Sequence, residues 1–403
     1  MARRLQEGIY YQGGVRPGLF FAVTFLALRE GRKAHEVRAD LKRLWGIYAD
    51  LKKGITAEHA NHPVPSGNLT VLLGYGPNFF GLEGTVNRPP QLAPRNQFLS
   101  PQAIGGGPLL IASGLSYAPD ISRNVATEAI VVQFIADSQL AVNRAVVETW
   151  AALDPSLQSD TALSFGGFFD GFSRDDGRSW IGFHDGISNM RSGLPRENAL
   201  RIKTGANTNG STMCFLRLEV DLPAWRRLSL GKQELMVGRD KLSGCPFSQT
   251  AVDGKPAIKA GCPVQGTADI LANENVDYRM PDSVSVADPL RQSHVQRANL
   301  QHSSETDRVD SLRVFRQGYE FLESLSNPPG FRLGLNFVSF QDSPDRIVTL
   351  LTRKDWLGQT NFGGDPLNPL PGMVDLLRVR AAAIFLVPPA DDALPFPGDD
   401  FFA

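Results

Sequence analysis

No stretch of this 403-residue chain is apolar over enough residues to span a bilayer, and no long run of one charge interrupts it. With 41 basic and 42 acidic side chains the formal net charge is −1, which favours neither nucleic acid nor an anionic membrane as a partner. Cysteine is scarce: Cys214, Cys245 and Cys262 form neither a disulfide framework nor a CxxC pair for zinc, and Cys214, in an apolar run, reads as core. Only six histidines are present, none with HExxH spacing, and Asp170, Asp175 and Asp176 are wrongly spaced for an EF-hand. A nonhaem metal site therefore lacks support. Two arginines near the N-terminus are not followed by an apolar segment, so no signal peptide is expected and a cytoplasmic location is the default.

Glycine and proline, by contrast, are plentiful, 39 and 28 residues, so many turns and long loops are expected. A hydrophobic content of 42% is ordinary for a globular protein, and the length predicts two domains.

Leu19–Leu28 reads as a buried strand, and Val37, Leu41, Leu44, Trp45, Tyr48 and Leu51 recur at helical spacing. Strand-like 68–75 precedes a Gly-, Pro- and Asn-rich stretch to about Asp120, too irregular in composition for regular structure. A strand at 129–135, a helix at 138–153 and a strand at 164–172 complete a β, α, β, β, α, β order. The order then repeats: strand 213–222, a helix from Pro223 to about Arg239, a long insertion at 244–310, strands at 312–321 and 332–341, a helix from Ser343 to Trp356, and a last strand at 381–387. Two such units predict an α+β fold of duplicated ferredoxin-like (βαββαβ) domains, antiparallel sheets with helices on one face, divided as 1–205 and 206–403.

The chemistry concentrates in Gly182-Phe183-His184-Asp185-Gly186, where a carboxylate lies between two glycines and behind Trp180, Ile181 and Phe183. Glycines permit a tight turn or close approach of a ligand, and the acid there is either a turn residue or a proton acceptor for something bound against the loop. Gly167-Phe168-Phe169-Asp170-Gly171 has the same GxxDG pattern, and Asp170 with Asp185 would be the carboxylate pair of a glycoside hydrolase. His35, His59 and His62 read as solvated. His294 precedes a strand in which Arg316 stands among apolar residues; taken alone they are a surface histidine and a salt-bridge partner, taken together a metal-ligating imidazole and a fixed positive charge.

Together these segments resemble the dye-decolorizing peroxidase family over nearly the whole chain. The similarity is carried by Leu5–Ile9 with Arg16-Pro17-Gly18, by Gly182–Gly186, by Gln233-Glu234 with Val237–Lys241, by Gly334–Gln341, and by Val387-Pro388-Pro389 with Pro395–Gly398. Asp185 rather than Asp170 matches the family's acid, because Ile181-Gly182-Phe183 and Ile187-Ser188-Asn189 flank it. The resemblance implies a haem peroxidase, with haem b in the C-terminal half and His294 as its axial ligand; His302 is the rival. It places Asp185 and Arg316 on the opposite, distal face, as acid/base and charge stabiliser, and Arg297, Ser188, Asn189, Leu335 and Phe337 around the cofactor. This chain has Gln296 and Asn299-Leu300 where the family often has arginine and Asn-Pro, so the haem-propionate contacts stay open. Hydrogen peroxide and aromatic donors such as dyes and phenols are the implied substrates, with an acidic activity optimum if Arg316 lowers the Asp185 pKa. Bulky donors would be oxidised at the surface through a Trp or Tyr relay, the candidates being Trp45, Trp150, Trp180, Trp225, Trp356 and Tyr319. The competing reading is a haem-handling protein with incidental peroxidation.

Overall fold

The structure, a computed structural model, describes residues 3–9, 18–59, 61–103, 109–111, 115–121, 123–158, 160–184, 190, 194–250, 256–258, 285, 288–298, 313–351 and 376–403. In the first half β1 (Phe20–Leu28), α1 (Ala34–Lys52) and β2 (Thr70–Tyr75) are followed by α2 (Leu92–Leu99). Three short strands, β3 (Gln102–Ala103), β4 (Leu109–Ile111) and β5 (Leu115–Ser116), form a small sheet of their own. Then come β6 (Ile130–Ala136), α3 (Gln139–Leu153), β7 (Leu163–Phe172) and α4 (Leu194–Leu200). The second half begins with β8 (Ser211–Val220), α5 (Leu222–Arg227) and α6 (Leu230–Val237), followed by β9 (Phe247–Thr250) and β10 (Pro256–Ile258). It ends with α7 (His294–Ala298), β11 (Phe315–Ser326), β12 (Pro329–Gln341), α8 (Pro344–Leu351) and β13 (Leu377–Val387).

Eight strands close into one antiparallel barrel in the order β1-β6-β2-β13-β8-β12-β11-β7. The sequence suggested separate sheets; the difference lies in two seams, where β2 meets β13 at Tyr75–Leu386 and β7 meets β11 at Phe172–Glu320, one residue pair each. Counted within its own half, each set of four strands is ordered 4-1-3-2.

Closure explains why the strands are apolar on both faces. Phe21, Val23 and Phe25 of β1 belong to an inner cluster with Phe215, Val338 and Phe385, whereas Ala22 and Leu26 belong to an outer cluster with residues of α1 and α3. Phe25 alone meets Phe169, Phe215 and Phe385 at 5.7–6.0 Å between ring centres. On α1 the helical spacing read from the sequence is the buried face: Val37, Leu41, Leu44, Tyr48 and Leu51.

Three further readings are corrected. The stretch expected to be irregular contains α2, and the helix expected from Pro223 to Arg239 is two, because the chain turns at Leu228 and Ser229 caps the second by accepting from Lys232 N. Cys214 is a buried free thiol as its apolar run suggested, but Cys245 is disulfide-bonded. No helix among the described residues is long and apolar enough to cross a membrane.

Candidate active site

The segment 178–184 turns back on itself after β7. Ser179 N donates to Phe183 O at 2.9 Å, Gly182 N donates to Ser179 O at 2.7 Å, and Arg178 pairs with His184 across the turn. Gly182 takes φ +88°, and a Cβ there would lie 2.5 Å from Lys241 Cε. Only glycine meets both demands.

Its two sides are fastened to different elements. Arg178 donates through Nη1 to the carbonyls of Gly182 (2.9 Å) and Lys241 (2.7 Å), and through Nη2 to that of Leu242 (2.6 Å). Lys241 Nζ donates to Gln233 Oε1 at 2.6 Å and stands 5.7 and 5.8 Å from the ring centres of Phe183 and Trp225, within cation–π range. Trp225 Nε1 donates to Ile181 O at 3.2 Å. On the other side Trp180 N donates to the Glu320 carboxylate at 3.1 and 3.2 Å, and Trp180 Nε1 donates to Phe321 O at 3.1 Å. The turn thus bridges α5–α6 and β11, and the next residue in the chain is Asp185.

This neighbourhood is electropositive. Burial pushes the His184 imidazole below its ordinary pKa, and Arg178 and Arg239 push it further. The Lys241 ammonium is lowered as well, first by burial and then, against a favourable Glu234, by Arg178. Burial raises the Glu234 carboxyl, whose Oε1 accepts from Lys241 N.

On β11, Arg316, Gly318 and Glu320 stand opposite Ser339, Phe337 and Leu335 of β12, so these six share the outer face of the barrel. Gly318, opposite Phe337, presents no side chain between Arg316 and Glu320. Arg316, Leu335 and Phe337 are half-buried, whereas Phe315, Asn336 and Val338 on the inner face are fully covered. Phe337 packs against the outer cluster that also holds Phe183, Trp225 and Met236.

His294 opens α7, which packs on α6. Contact there is close: a Cβ on Gly238, the left-handed cap of α6, would lie 2.3 Å from Ser293 Oγ and 2.5 Å from Val295 Cγ2. The imidazole is half-buried with Nδ1 shielded from solvent. A path of contacts therefore runs from Glu320 through Trp180, Ile181, Trp225 and α6 to the residues on either side of His294.

Of the residues singled out from sequence, Arg316, Leu335 and Phe337 are brought together on one sheet face, and His294 lies on the helix packed behind α6. Asp185, Ser188, Asn189 and His302 fall outside the described residues, as does the side chain of Arg297. Asp170, the alternative acid, is inside β7 rather than at a turn. A Cβ on Gly171 would lie 2.6 Å from Asn336 Nδ2, so that second GxxDG serves close packing at a barrel seam. Among the relay candidates Trp225 is buried at 2% exposure, Trp45 and Trp180 are half-buried, Trp150 is exposed, and Trp356 is outside the described residues. Sequence reading missed the fastening residues Arg178, Gln233, Glu320 and Lys241. Gln233 and Lys241 do lie in the segments Gln233-Glu234 and Val237–Lys241 that carried the resemblance.

A family profile described as the C-terminal part of Dyp-type peroxidases matches residues 176–392, which is more than half of the chain and spans the turn, α7 and the β11–β12 face. The chain belongs to the DyP-type peroxidase family. Solved structures agree in fold. A DyP-type peroxidase from Streptomyces coelicolor is 20% identical with a TM-score of 0.69, covering 100% of this chain and 97% of that one. One from Cellulomonas bogoriensis is 20% identical with a TM-score of 0.66, covering 98% and 95%. Ferric DtpA from Streptomyces lividans is 20% identical with a TM-score of 0.68, covering 99% and 96%. As a family member the protein is a peroxidase, a haem-iron oxidoreductase that uses hydrogen peroxide and a reducing substrate.

Proposed function

We propose that this DyP-type peroxidase binds haem b, which His294 on α7 and the outer face of β11–β12 would hold, His294 ligating its iron, and that it oxidises aromatic donors such as dyes and phenols in one-electron steps. The observation that carries the reading is the half-covered face of Arg316, Leu335 and Phe337, with no side chain at Gly318 between Arg316 and Glu320, on strands whose inner face is sealed. Such a face suits a flat apolar ligand. The shielding of His294 Nδ1 suits ligation through Nε2. Haem, when bound, supplies the iron at which peroxide is reduced.

The chain's own residues then have distinct tasks. Asp185 accepts a proton from the inner oxygen of peroxide and returns it to the outer one, which lets the O–O bond break heterolytically. Arg316 stabilises negative charge on the departing oxygen. Arg178 and Lys241 position the turn, and Leu335 and Phe337 keep the distal side narrow. Arg297, Ser188 and Asn189 are assigned to the rim of the cofactor. The two halves, 1–205 and 206–403, are read as ferredoxin-like repeats, which the shared 4-1-3-2 strand order supports.

The test separates catalysis from haem handling. Steady-state peroxide turnover with a phenolic donor is expected, with negligible haem transfer to an apo-globin acceptor; fast transfer without turnover would favour the haem-handling alternative. Asp185→Asn and Arg316→Leu should each slow oxidation of the enzyme by peroxide, by roughly 10²–10⁴-fold for the proton-transfer group, while the Soret band stays. Stopped-flow rates equal to wild type in both variants would remove the two residues from the mechanism.

A further inference from the structure

Helix α3 buries one face fully, with Ala141, Val142, Ala145, Val146 and Thr149 against the barrel and α1. Its opposite edge is apolar too. Leu140, Val147 and Trp150 are 57%, 56% and 44% exposed. At about 100° per residue they fall within an arc of roughly 80°. Leu157, in the turn after the helix, is 58% exposed. Scattered exposed hydrophobes are ordinary; three on one stripe of a well-formed helix are not.

The charges beside the stripe suggest what covers it. α3 carries only two charged side chains, Arg144 and Glu148, one turn apart on the same flank. Among the described residues neither side chain makes an ion pair or hydrogen bond. Glu148 is pushed above its ordinary value by burial and by its neighbour Glu58, and no cation among the described residues offsets the two. An anionic membrane would find no basic surface on this helix. A second copy related by a two-fold axis would: with the helices antiparallel and the axis at the level of residue 146, the flank of one copy meets the same flank of the other.

We infer that α3 is a homodimer interface, in which Leu140, Val147 and Trp150 of two copies pack together and each Arg144 pairs with Glu148 of the second copy. The arrangement is isologous, so one unpaired cation and one unpaired anion per chain become two ion pairs. Val147 lies near the axis and meets its own counterpart. One helix pair covers less than a standard interface, so the charges contribute chiefly to register and specificity.

Analytical ultracentrifugation of the haem-loaded full chain tests this. Wild type is expected to dimerise, and Val147→Glu to be monomeric with an unchanged Soret band and circular dichroism spectrum. Arg144→Glu and Glu148→Arg, each placing like charges in opposition, should raise the dissociation constant roughly tenfold or more. Combining the two restores opposite charges, and the double variant should regain most of the affinity. A wild-type protein that stays monomeric up to about 100 µM, a dimer that Val147→Glu does not weaken, or a double variant no better than the singles would overturn the proposal.

Discussion

At Gly182 two constraints coincide: a left-handed backbone and a lysine side chain where a Cβ would go. Gly182→Ala should therefore cost about 1–2 kcal/mol for the backbone alone, plus the displacement of Lys241 from Gln233 and Phe183. Urea unfolding reads the first effect, and slower oxidation by peroxide at unchanged haem content reads the second; a variant with wild-type values in both would mean that the turn tolerates the change. His184 gives a pH dependence of definite sign. Its folded pKa lies below the unfolded value of about 6.5, so the unfolded chain binds the proton more readily. The stability it contributes is present above that value and is lost as pH falls towards and through the folded one. His184→Gln should flatten the stability profile below about pH 6.5, and an unchanged slope would contradict the assignment. The left-handed position at Gly182 was legible in the sequence as a glycine; Asp185 and Gly186, which the reading centred on, lie outside the described residues. Arg178 and Lys241 were not legible, because their work is done on carbonyls and rings brought together by folding, which leaves no local pattern.

Among the elements, the seams of the barrel are thin in backbone pairing, and buried side chains reinforce them. Gln6 donates to Leu73 O (2.9 Å) and Pro388 O (2.8 Å) and accepts from Leu73 N (2.9 Å), joining β2 to the end of β13. Asn336 and Arg217 both donate to Asp170 O at the other seam, and Arg217 also binds Asn336 Oδ1 and pairs with Glu323. Gln6→Leu should destabilise the fold by about 1–3 kcal/mol, because it leaves buried backbone groups unpaired. A shift of the urea midpoint equivalent to less than about 0.5 kcal/mol would show that the seam does not depend on it. Arg217 is 1% exposed, but its carboxylate partner is 36% exposed and can rehydrate, so Arg217→Met should fall in the same range rather than at the higher cost of stranding a buried charge. β1, β2, β6 and β13 were legible, since burial on both faces makes each an apolar run. α2 was not. It is held by tertiary contact, with Asn96 bonding both the carbonyl and the amide of Ile384, and its neighbours include the glycines and prolines that pointed to a loop.

For the whole molecule, the repeat of strand and helix order in the two halves was visible from the sequence, but closure into one barrel was not: it rests on single residue pairs and on side chains such as Gln6 and Asn336 that are far apart in the chain. Closure gives the outer face of β11–β12 a rigid backing, the filled interior. The disulfide at Cys245 likewise left no motif. At this scale the central claim is that one imidazole on α7 holds haem against that face. The most direct measurement is the absorption spectrum of the purified protein, before and after adding peroxide, beside that of His294→Ala. The wild type should show a Soret band that changes on mixing with peroxide, and the variant should lose stable haem; a variant whose Soret band matches the wild type would contradict His294 as the ligand.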